Sequence, residues 1–224
     1  FDFLDTKSVT EPTVVDMSDV EEIEEEEVTA KEDIPESQEQ EKAVLEPHNF
    51  RIQDNDLGAG GPKAKYKTNM EAIHLLQTLE KEERLATPEE QEILSRYVGW
   101  GGIPQAFEES NSSWANEYLE LKNTLSSEEY SAARASTLNA FYTSPTVIRS
   151  MYEALENMGL KQGNILEPSM GIGNFFGMLP EKLRQSHLYG VELDSISGRI
   201  GKLLYPDANI QIKGFEKTDY PNDF

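Results

Sequence analysis

The chain has 224 residues, no cysteine and a formal net charge of −22 at pH 7. Its length suffices for one ordinary domain with appendages, and the lack of cysteine excludes disulfides and thiolate metal sites and fits a reducing compartment. No apolar run approaches the roughly 18 residues of a membrane span, and no signal peptide opens the sequence. We therefore expect a cytoplasmic protein with no membrane partner.

The acidic charge is concentrated in residues 1–46. This segment holds 17 of the 42 acidic residues and 3 of the 20 basic ones, a net charge of −14, and the rest of the chain carries −8. Low hydrophobicity combined with high charge predicts a disordered acidic tail. We interpret the tail as a solvated linker, with a basic partner or DNA mimicry as the alternative. The remaining −8 gives no basic patch for DNA binding by this piece.

Residues 47–138 predict a small all-helical unit. Apolar residues recur at helical spacing from Met70 to Leu79. Thr87 followed by Pro88 and Glu90 has the form of a capping box, and Ser126 opens a second capped helix. A further short helix is predicted over residues 112–125.

A cluster of three glycines surrounds Trp100 in the segment Gly99–Gly102. Two interpretations stand side by side. The segment is a helix terminator with Trp100 as a buried anchor, or Trp100 folds over a ligand as a lid.

Residues 139–224 predict an α/β domain with three βα-type units. Ser144 and Pro145 mark a helix start. Three such units in sequence indicate a parallel, doubly wound sheet. The strands are expected at residues 165–166, 188–192 and 210–212, and the helix between the last two at residues 194–205.

The first strand leads into a loop with two glycines, Gly171 and Gly173, as in nucleotide-binding α/β units. Three residues separate Gly173 from Gly177, which departs from the dinucleotide-binding spacing, and no lysine stands beside the glycines, which excludes a P-loop. Glu192 ends the second strand, where an acid can accept hydrogen bonds from ribose hydroxyls. The pattern favours S-adenosyl-L-methionine, a ligand with an amino-acid end, a ribose and an adenine but no phosphate. An ordinary strand-to-helix turn is the alternative.

Three segments resemble the successive cofactor motifs of adenine-specific DNA methyltransferases. They are YTSP at residues 142–145, EPSMGIGNFF at 167–176 and GVELD at 190–194. RYVGWGGIPQAF (96–107) and STLNAFYTSP (136–145) resemble more specifically the very large proteins of bacterial mobile elements that join such a methyltransferase to a superfamily-two helicase. The resemblance covers roughly residues 50 to 224. It implies an incomplete Rossmann-like class I methyltransferase sheet over residues 139–224.

The resemblance also implies roles for individual residues. Thr143 and Pro145 would lie by the methionine carboxylate, and Glu167 would face the methionine amine. The backbone from Ser169 to Asn174 would wrap the sulfonium, and Glu192 would hold the ribose diol. The residues implied to bind cofactor are Tyr142, Thr143, Pro145, Glu167, Pro168, Ser169, Gly171, Gly173, Asn174, Phe175 and Glu192, with Leu193 and Phe215 flanking adenine and Glu216 near its amine.

The catalytic half of that family is missing from the sequence. No Asn/Asp-Pro-Pro-aromatic motif, which would hold a flipped adenine, is present, nor are a target-recognition domain and helicase motifs. We therefore expect an N-terminal portion of a larger enzyme that methylates adenine in DNA. This piece alone is expected to be inactive, with no catalytic residue and no metal site, and DNA is the partner expected for the full-length protein.

Two other functions remain open. The first is a methyltransferase acting on RNA or protein, because substrate choice lies outside the shared fold. The second is a non-catalytic module that docks on DNA-processing partners and uses a methyltransferase-like sheet as its scaffold.

Overall fold

The computed structural model describes residues 46–221 and 224, which fall within one compact unit. The predicted disorder of the acidic tail, residues 1–46, concerns residues that lie outside this description except for Glu46. Within the described residues, no helix is long and apolar enough to cross a membrane.

Seven α-helices and three β-strands are present in the described part of the chain. The helices are α1 (Pro62–Glu82), α2 (Pro88–Ser95), α3 (Ala115–Thr124), α4 (Ser127–Ser136), α5 (Pro145–Asn157), α6 (Asn174–Gly177) and α7 (Ser195–Leu204), and the strands are β1 (Asn164–Glu167), β2 (His187–Glu192) and β3 (Asn209–Ile212). Short 3-10 turns occupy Pro104–Phe107, Ser112–Trp114, Glu181–Leu183 and Phe215–Lys217.

The helix starts follow the capping residues. The Thr87 hydroxyl accepts a hydrogen bond from the Glu90 amide, and the Glu90 carboxylate accepts one from the Thr87 amide, so α2 has the predicted capping box. Ser126 and Glu129 form the same box at α4. Ser144 occupies the predicted N-cap of α5, but its side chain makes no capping hydrogen bond.

Two predicted helices differ from the observed ones. The helix expected over residues 112–125 begins as a 3-10 turn and becomes the α-helix α3 only at Ala115. The apolar segment after the glycine loop, residues 175–179, also predicts a helix, but the structure has only the single turn α6 there. It is followed closely by Pro180, which restricts the residue before it to extended conformations and cannot donate a backbone hydrogen bond.

The three strands form one parallel sheet in the order β1-β2-β3, which confirms the α/β fold class. Glu167 pairs with Gly190, and Gly190 with Ile210, so the carboxyl ends of β1 and β2 lie at the same edge. The three strands lie side by side in the sheet in the same order as in the sequence. The first half of a doubly wound sheet has this order, because the strand order of such a sheet reverses only between its two halves.

One hydrophobic core joins the helical part to the α/β part. It runs from Ile73 and Leu76 of α1 through Trp100 to Ile200 of α7 and Ile210 of β3, all buried. Helix α7 lies between the two parts, in contact with α1 and α2 on one side and β2 and β3 on the other. The helical part therefore stabilises the sheet and is more than an appendage to it.

Polar contacts tie α7 to three helices of the helical part. Gln91 of α2 donates a hydrogen bond from Nε2 to the Leu203 carbonyl at 3.0 Å. Arg199 of α7 forms ion pairs with Glu80 of α1 and Glu129 of α4. Because α7 follows β2 directly, these contacts set the position of the β2 carboxyl end relative to the helical part.

Candidate functional site

A cavity of about 530 Å³ lies at the edge of the sheet where β1 and β2 end. The strand ends and the glycine loop form one side, and α4 with the segment leading to α5 forms the other. Its lining residues are Tyr97, Gly99, Ala132, Ala135, Ser136, Asn139, Ala140, Phe141, Tyr142, Thr143, Glu167, Ser169, Met170, Gly171, Asn174, Phe175, Glu192, Leu193, Asp194 and Ser197. Ligands of parallel α/β sheets bind at this edge.

The structure brings nine of the fourteen predicted site residues together around the cavity. They are Tyr142, Thr143, Glu167, Ser169, Gly171, Asn174, Phe175, Glu192 and Leu193. What they bind is not decided by this placement, so their cofactor roles remain predictions.

Three predicted residues near the glycine loop and α5 lie outside the lining. Pro145 is buried as the first residue of α5, and Pro168 is exposed to solvent. Gly173 faces the core, because a Cβ built on it would stand 2.6 Å from the Tyr205 ring. Gly173 thus allows the loop and α7 to pack closely, which is a structural role.

Phe215 and Glu216 also lie outside the cavity lining. They belong to the 3-10 turn that follows β3, and both side chains are exposed, Phe215 to 46%. In the order β1-β2-β3, strand β3 is separated from β1 by the whole of β2. The predicted contacts of these two residues with an adenine ring are therefore not supported by where the structure places them.

Glu167 is the chemically most unusual residue of the cavity. Its Oε2 atom is buried and has no hydrogen-bond partner. Burial raises the pKa of the Glu167 carboxyl to about 8, and the nearby negative charge of Glu192 contributes to the increase. An unpartnered buried carboxyl is costly, so this one is well placed to accept a hydrogen bond or ion pair from a ligand.

Glu192 is already engaged by the protein backbone. Its Oε2 accepts a hydrogen bond from the Gly171 amide at 2.7 Å, and its Oε1 accepts one from the Asp194 amide at 2.8 Å. Burial raises the pKa of this carboxyl, while the amide hydrogen bonds act in the opposite direction. Glu192 therefore holds the glycine loop in place and also lines the cavity.

A second unpartnered acceptor lies at the start of α6. The Asn174 side chain is only 8% exposed, and its Oδ1 atom has no hydrogen-bond partner. Glu167 and Asn174 thus present two buried acceptors to one cavity. Both atoms are free to accept a hydrogen bond from a donor-bearing group in the cavity.

The lining is acidic. Glu167, Glu192 and Asp194 contribute carboxylates, and no lysine, arginine or histidine is among the lining residues. No group of three metal-ligating side chains is placed to hold a metal ion anywhere in residues 46–221. The arrangement suits a small organic cation with several hydrogen-bond donors.

Tyr142 connects the glycine loop to the helical part. A Cβ built on Gly171, which has φ +58, would stand 2.6 Å from the Tyr142 ring. On its other side the ring approaches Gly99, where a Cβ would stand 3.0 Å away. The tyrosine is thus held between two glycines from different parts of the chain, and its hydroxyl lies 3.3 Å from that of Ser197.

Gly99 lines the cavity, whereas Trp100 is buried outside the lining and does not act as a lid. Trp100 is 1% exposed and packs against Tyr66, Tyr97 and Phe107, as expected for a buried anchor. A Cβ built on Gly101 would stand 2.0 Å from the Ala140 carbonyl oxygen. The glycines allow this segment to press against residues 140–142, which line the cavity.

Replacing Gly101 with alanine should therefore distort the cavity. We expect the free energy of unfolding to fall by about 1–3 kcal/mol, because the added methyl forces the backbone near Ala140 to move. Urea denaturation measures the loss, and amide NMR shifts of residues 140–143 measure the movement. Gly163→Ala is the control, since a Cβ there meets nothing within 4 Å. Unchanged shifts at residues 140–143 in a folded Gly101→Ala variant would contradict the expectation.

Several lining residues were missed by the reasoning from sequence. Ala132 and Ala135 of α4, with Ser136 and Asn139 after them, form the wall opposite the strand ends. The signal was weak: small side chains one turn apart on a helix whose only buried residue is Ala133. Asp194 caps α7 by accepting the Ser197 amide at 2.7 Å, and it lines the cavity as well.

Comparison with known proteins finds a relative that is similar to most of this chain. The chain is 28% identical over 168 residues to the Defense against restriction protein B of Escherichia phage P1. The alignment covers 74% of this chain and 6% of that protein, so the chain spans a small fraction of the relative's length. No protein-family model and no solved structure matches the chain significantly.

These findings contradict the assignment to adenine-specific methyltransferases fused to a helicase. That prediction was wrong as a family assignment, because the relative is a protein named for defence against restriction and no methyltransferase model matches. Descriptions that depended on it, among them DNA methylation, adenine specificity, helicase fusion and mobile element, are corrected with it. The physical reason is that a strand, a glycine loop and a terminal acid recur in parallel α/β folds of many functions.

Proposed function

We propose that this chain is a non-catalytic module of a DNA-processing protein that counters restriction. The observation that carries the proposal is the similarity over 168 residues to Defense against restriction protein B. The compact helical part, joined to the sheet through α7, offers the rigid surface that an interaction module requires.

The charge of the chain favours a protein partner over direct contact with DNA phosphates. Outside residues 1–46 the net charge is −8. Affinity for nucleic acid depends largely on basic side chains that displace counterions, and an acidic surface repels the phosphate backbone. In this proposal the module reaches DNA through the longer protein to which it belongs.

A segment exchange tests the proposal. The matching segment of the phage P1 protein is deleted or is replaced by the matching part of this chain, and restriction of infecting phage DNA is measured in a restricting host. We expect the exchange to restore protection that the deletion removes. A third phage carries the exchanged segment with the destabilising Asn69→Leu substitution and should resemble the deletion. Exchanged protein that accumulates at full length but protects no better than the deletion would overturn the proposal.

We further propose that the cavity at the carboxyl edge of the sheet holds a small cationic ligand. The unpartnered acceptors Glu167 Oε2 and Asn174 Oδ1 support this, as does a lining without basic residues. S-adenosyl-L-methionine carries an ammonium, a ribose diol and a positive sulfonium and is one probe with the required groups.

Calorimetric titration with S-adenosyl-L-methionine tests this second proposal. Most Glu167 carboxyls are protonated at pH 7 if their pKa is about 8, so binding of an ammonium beside Glu167 should release a proton and strengthen about eightfold from pH 6 to pH 7, a range in which the ammonium of the ligand stays largely charged. Glu167→Gln should abolish this pH dependence, whereas the exposed Glu153→Gln should preserve it. A measurable affinity that is the same at both pH values would contradict a contact with Glu167. Absence of heat with this probe, and with adenosine and methionine, would overturn a site for ligands of this class.

A further inference from the structure

A second cavity, of about 470 Å³, lies at the opposite edge of the sheet, where the strands begin. His187 starts β2 and Asn209 starts β3, and both line this cavity. Two arginines, Arg51 and Arg184, line it as well. In contrast to the acidic cavity, this one brings cationic groups together in a chain that is acidic as a whole.

Arg51 is held in the cavity by its surroundings. The backbone on either side of it is fixed, because the Phe50 amide donates to the Leu204 carbonyl at 2.7 Å and the Ile52 amide donates to the Gly177 carbonyl at 2.9 Å. The Arg51 guanidinium donates from Nη2 to the Leu179 carbonyl. The half-buried side chain therefore occupies a defined position.

No carboxylate pairs directly with Arg51, although the nearby negative charge of Glu181 acts favourably on its guanidinium. Within the described part of the chain, no ion pair joins it to an acidic residue, although Arg84, Arg96, Arg184 and Arg199 each have one. Burial lowers the pKa of the Arg51 guanidinium, and the positive charge of Arg184 lowers it further. A partly buried cation facing another cation is unfavourable without a counter-charge.

Arg184 lines the same cavity and has N–H groups that can bind a ligand. Its Nε lies 2.7 Å from Glu181 Oε2, and in the described residues its terminal nitrogens donate no hydrogen bond to another group. Nearby, the Ser186 hydroxyl accepts from the Gly163 amide at 3.3 Å, which leaves its hydrogen free to donate. Asp207 also lines the cavity, but no ion pair within the described chain joins it to either arginine.

We propose that this second cavity is a binding site for a phosphate group, held by Arg51 and Arg184 with Ser186 and His187 as neighbouring donors. Paired guanidinium groups are the preferred protein partners of phosphate, since their planar donors match its oxygens. The phosphate would come from a mononucleotide, because the net negative charge of the chain disfavours the phosphate backbone of a DNA duplex. The site is separate from the acidic cavity, so neither proposed function depends on it.

NMR titration of the intact chain tests the site. Inorganic phosphate, a nucleoside 5′-monophosphate and a short DNA duplex are added separately while the signals of His187 and Ser186 are followed. We expect saturable shifts and tighter binding of the mononucleotide than of the duplex, whereas tighter binding of the duplex would overturn a mononucleotide as the source of the phosphate. Arg51→Gln and Arg184→Gln should each weaken binding about tenfold or more, since each removes charge-assisted hydrogen bonds.

Lys182→Gln is the matched control, because it removes the same charge from an exposed side chain that does not line the cavity. Arg184→Gln keeps the test valid if Arg51→Gln impairs folding through the loss of its contact with Leu179. Shifts that do not saturate with any probe, or binding that a folded Arg184→Gln variant leaves unchanged, would overturn the proposal.

Discussion

Substitution of Asn69 by leucine is expected to lower the free energy of unfolding by roughly 3–5 kcal/mol. Asn69 is fully buried in α1, donates from Nδ2 to the Gly99 carbonyl at 2.6 Å and accepts the Val98 amide on Oδ1 at 2.9 Å. Leucine has a similar volume but can form neither bond. Two backbone groups are then left unsatisfied, each at a cost of about 1–3 kcal/mol. Urea denaturation followed by tryptophan fluorescence measures the change.

The control for this substitution is Asn116→Leu, at an exposed position of α3. It should change stability by no more than about 0.5 kcal/mol, as is usual for surface positions. A loss at Asn69 no larger than the loss at Asn116 would show that the Gly99–Gly102 segment does not depend on these two hydrogen bonds. The expected effect is large because this segment supports both the core at Trp100 and the cavity wall at Tyr142.

Substitution of Glu167 by glutamine is expected to stabilise the ligand-free protein at pH 8–9 by roughly 2–4 kcal/mol. The Glu167 carboxyl has a pKa of about 8 in the folded chain, against an ordinary value of 4.5. Glutamine is similar in shape, carries no charge and can donate a hydrogen bond. It therefore removes the cost of ionising a buried group.

The sign of this change in stability follows from the pKa of Glu167, which is higher in the folded chain than in the unfolded chain. Below pH 4.5 the carboxyl is protonated in both the folded and the unfolded chain, so the wild type and the variant should be close in stability. Between pH 4.5 and 8 the unfolded chain loses this proton while the folded chain retains it. The wild type therefore loses stability as pH rises through this range, and Glu167→Gln should lose less. Glu192 contributes a dependence of the same direction that persists in the variant.

Urea denaturation at pH 4.5, 6.5 and 8.5 measures the difference between the two proteins. Glu153→Gln, on the exposed surface of α5, should follow the wild-type profile at all three values. A variant at Glu167 whose difference from the wild type is the same at every pH would show that the carboxyl does not retain its proton on folding.

Much of the fold followed from local sequence. The periodic apolar residues of α1, the capping boxes at Thr87 and Ser126 and the three short β-rich segments each encode their own structure. These signals depend on neighbours within a few residues, which is why they could be read directly. The order of the strands in the sheet depends instead on contacts between distant segments, which local sequence does not encode.

The candidate site also combines residues whose meeting local sequence predicts with residues whose meeting it does not. Glu167, Gly171 and Glu192 follow strands whose carboxyl ends share an edge, so their meeting could be predicted. The cavity wall formed by α4 and Gly99 could not be predicted in this way, because it arises from the packing of a separate helical part against the sheet. Phe215 and Glu216 lie in an exposed turn after β3, outside the cavity lining, and their contacts with adenine remain predictions.

The short sequence motifs led to a family assignment that the comparison with known proteins contradicts. A glycine loop and a terminal acid describe a geometry that binds ligands at a sheet edge, and this geometry is shared by proteins of different function. The structure retains that geometry, and the similarity to a protein of restriction defence changes the function proposed for it.

The central physical claim is that the Glu167 carboxyl is kept out of water and that its Oε2 atom has no hydrogen-bond partner within the protein. Carbon-13 NMR titration of the glutamate side-chain carboxyls tests it directly and requires no ligand, with the Glu167 signal assigned by its loss in Glu167→Gln. The account predicts a midpoint at a pH of about 8. A midpoint near the ordinary value of 4.5 would mean that the carboxyl is solvated or paired within the protein, and would contradict the account.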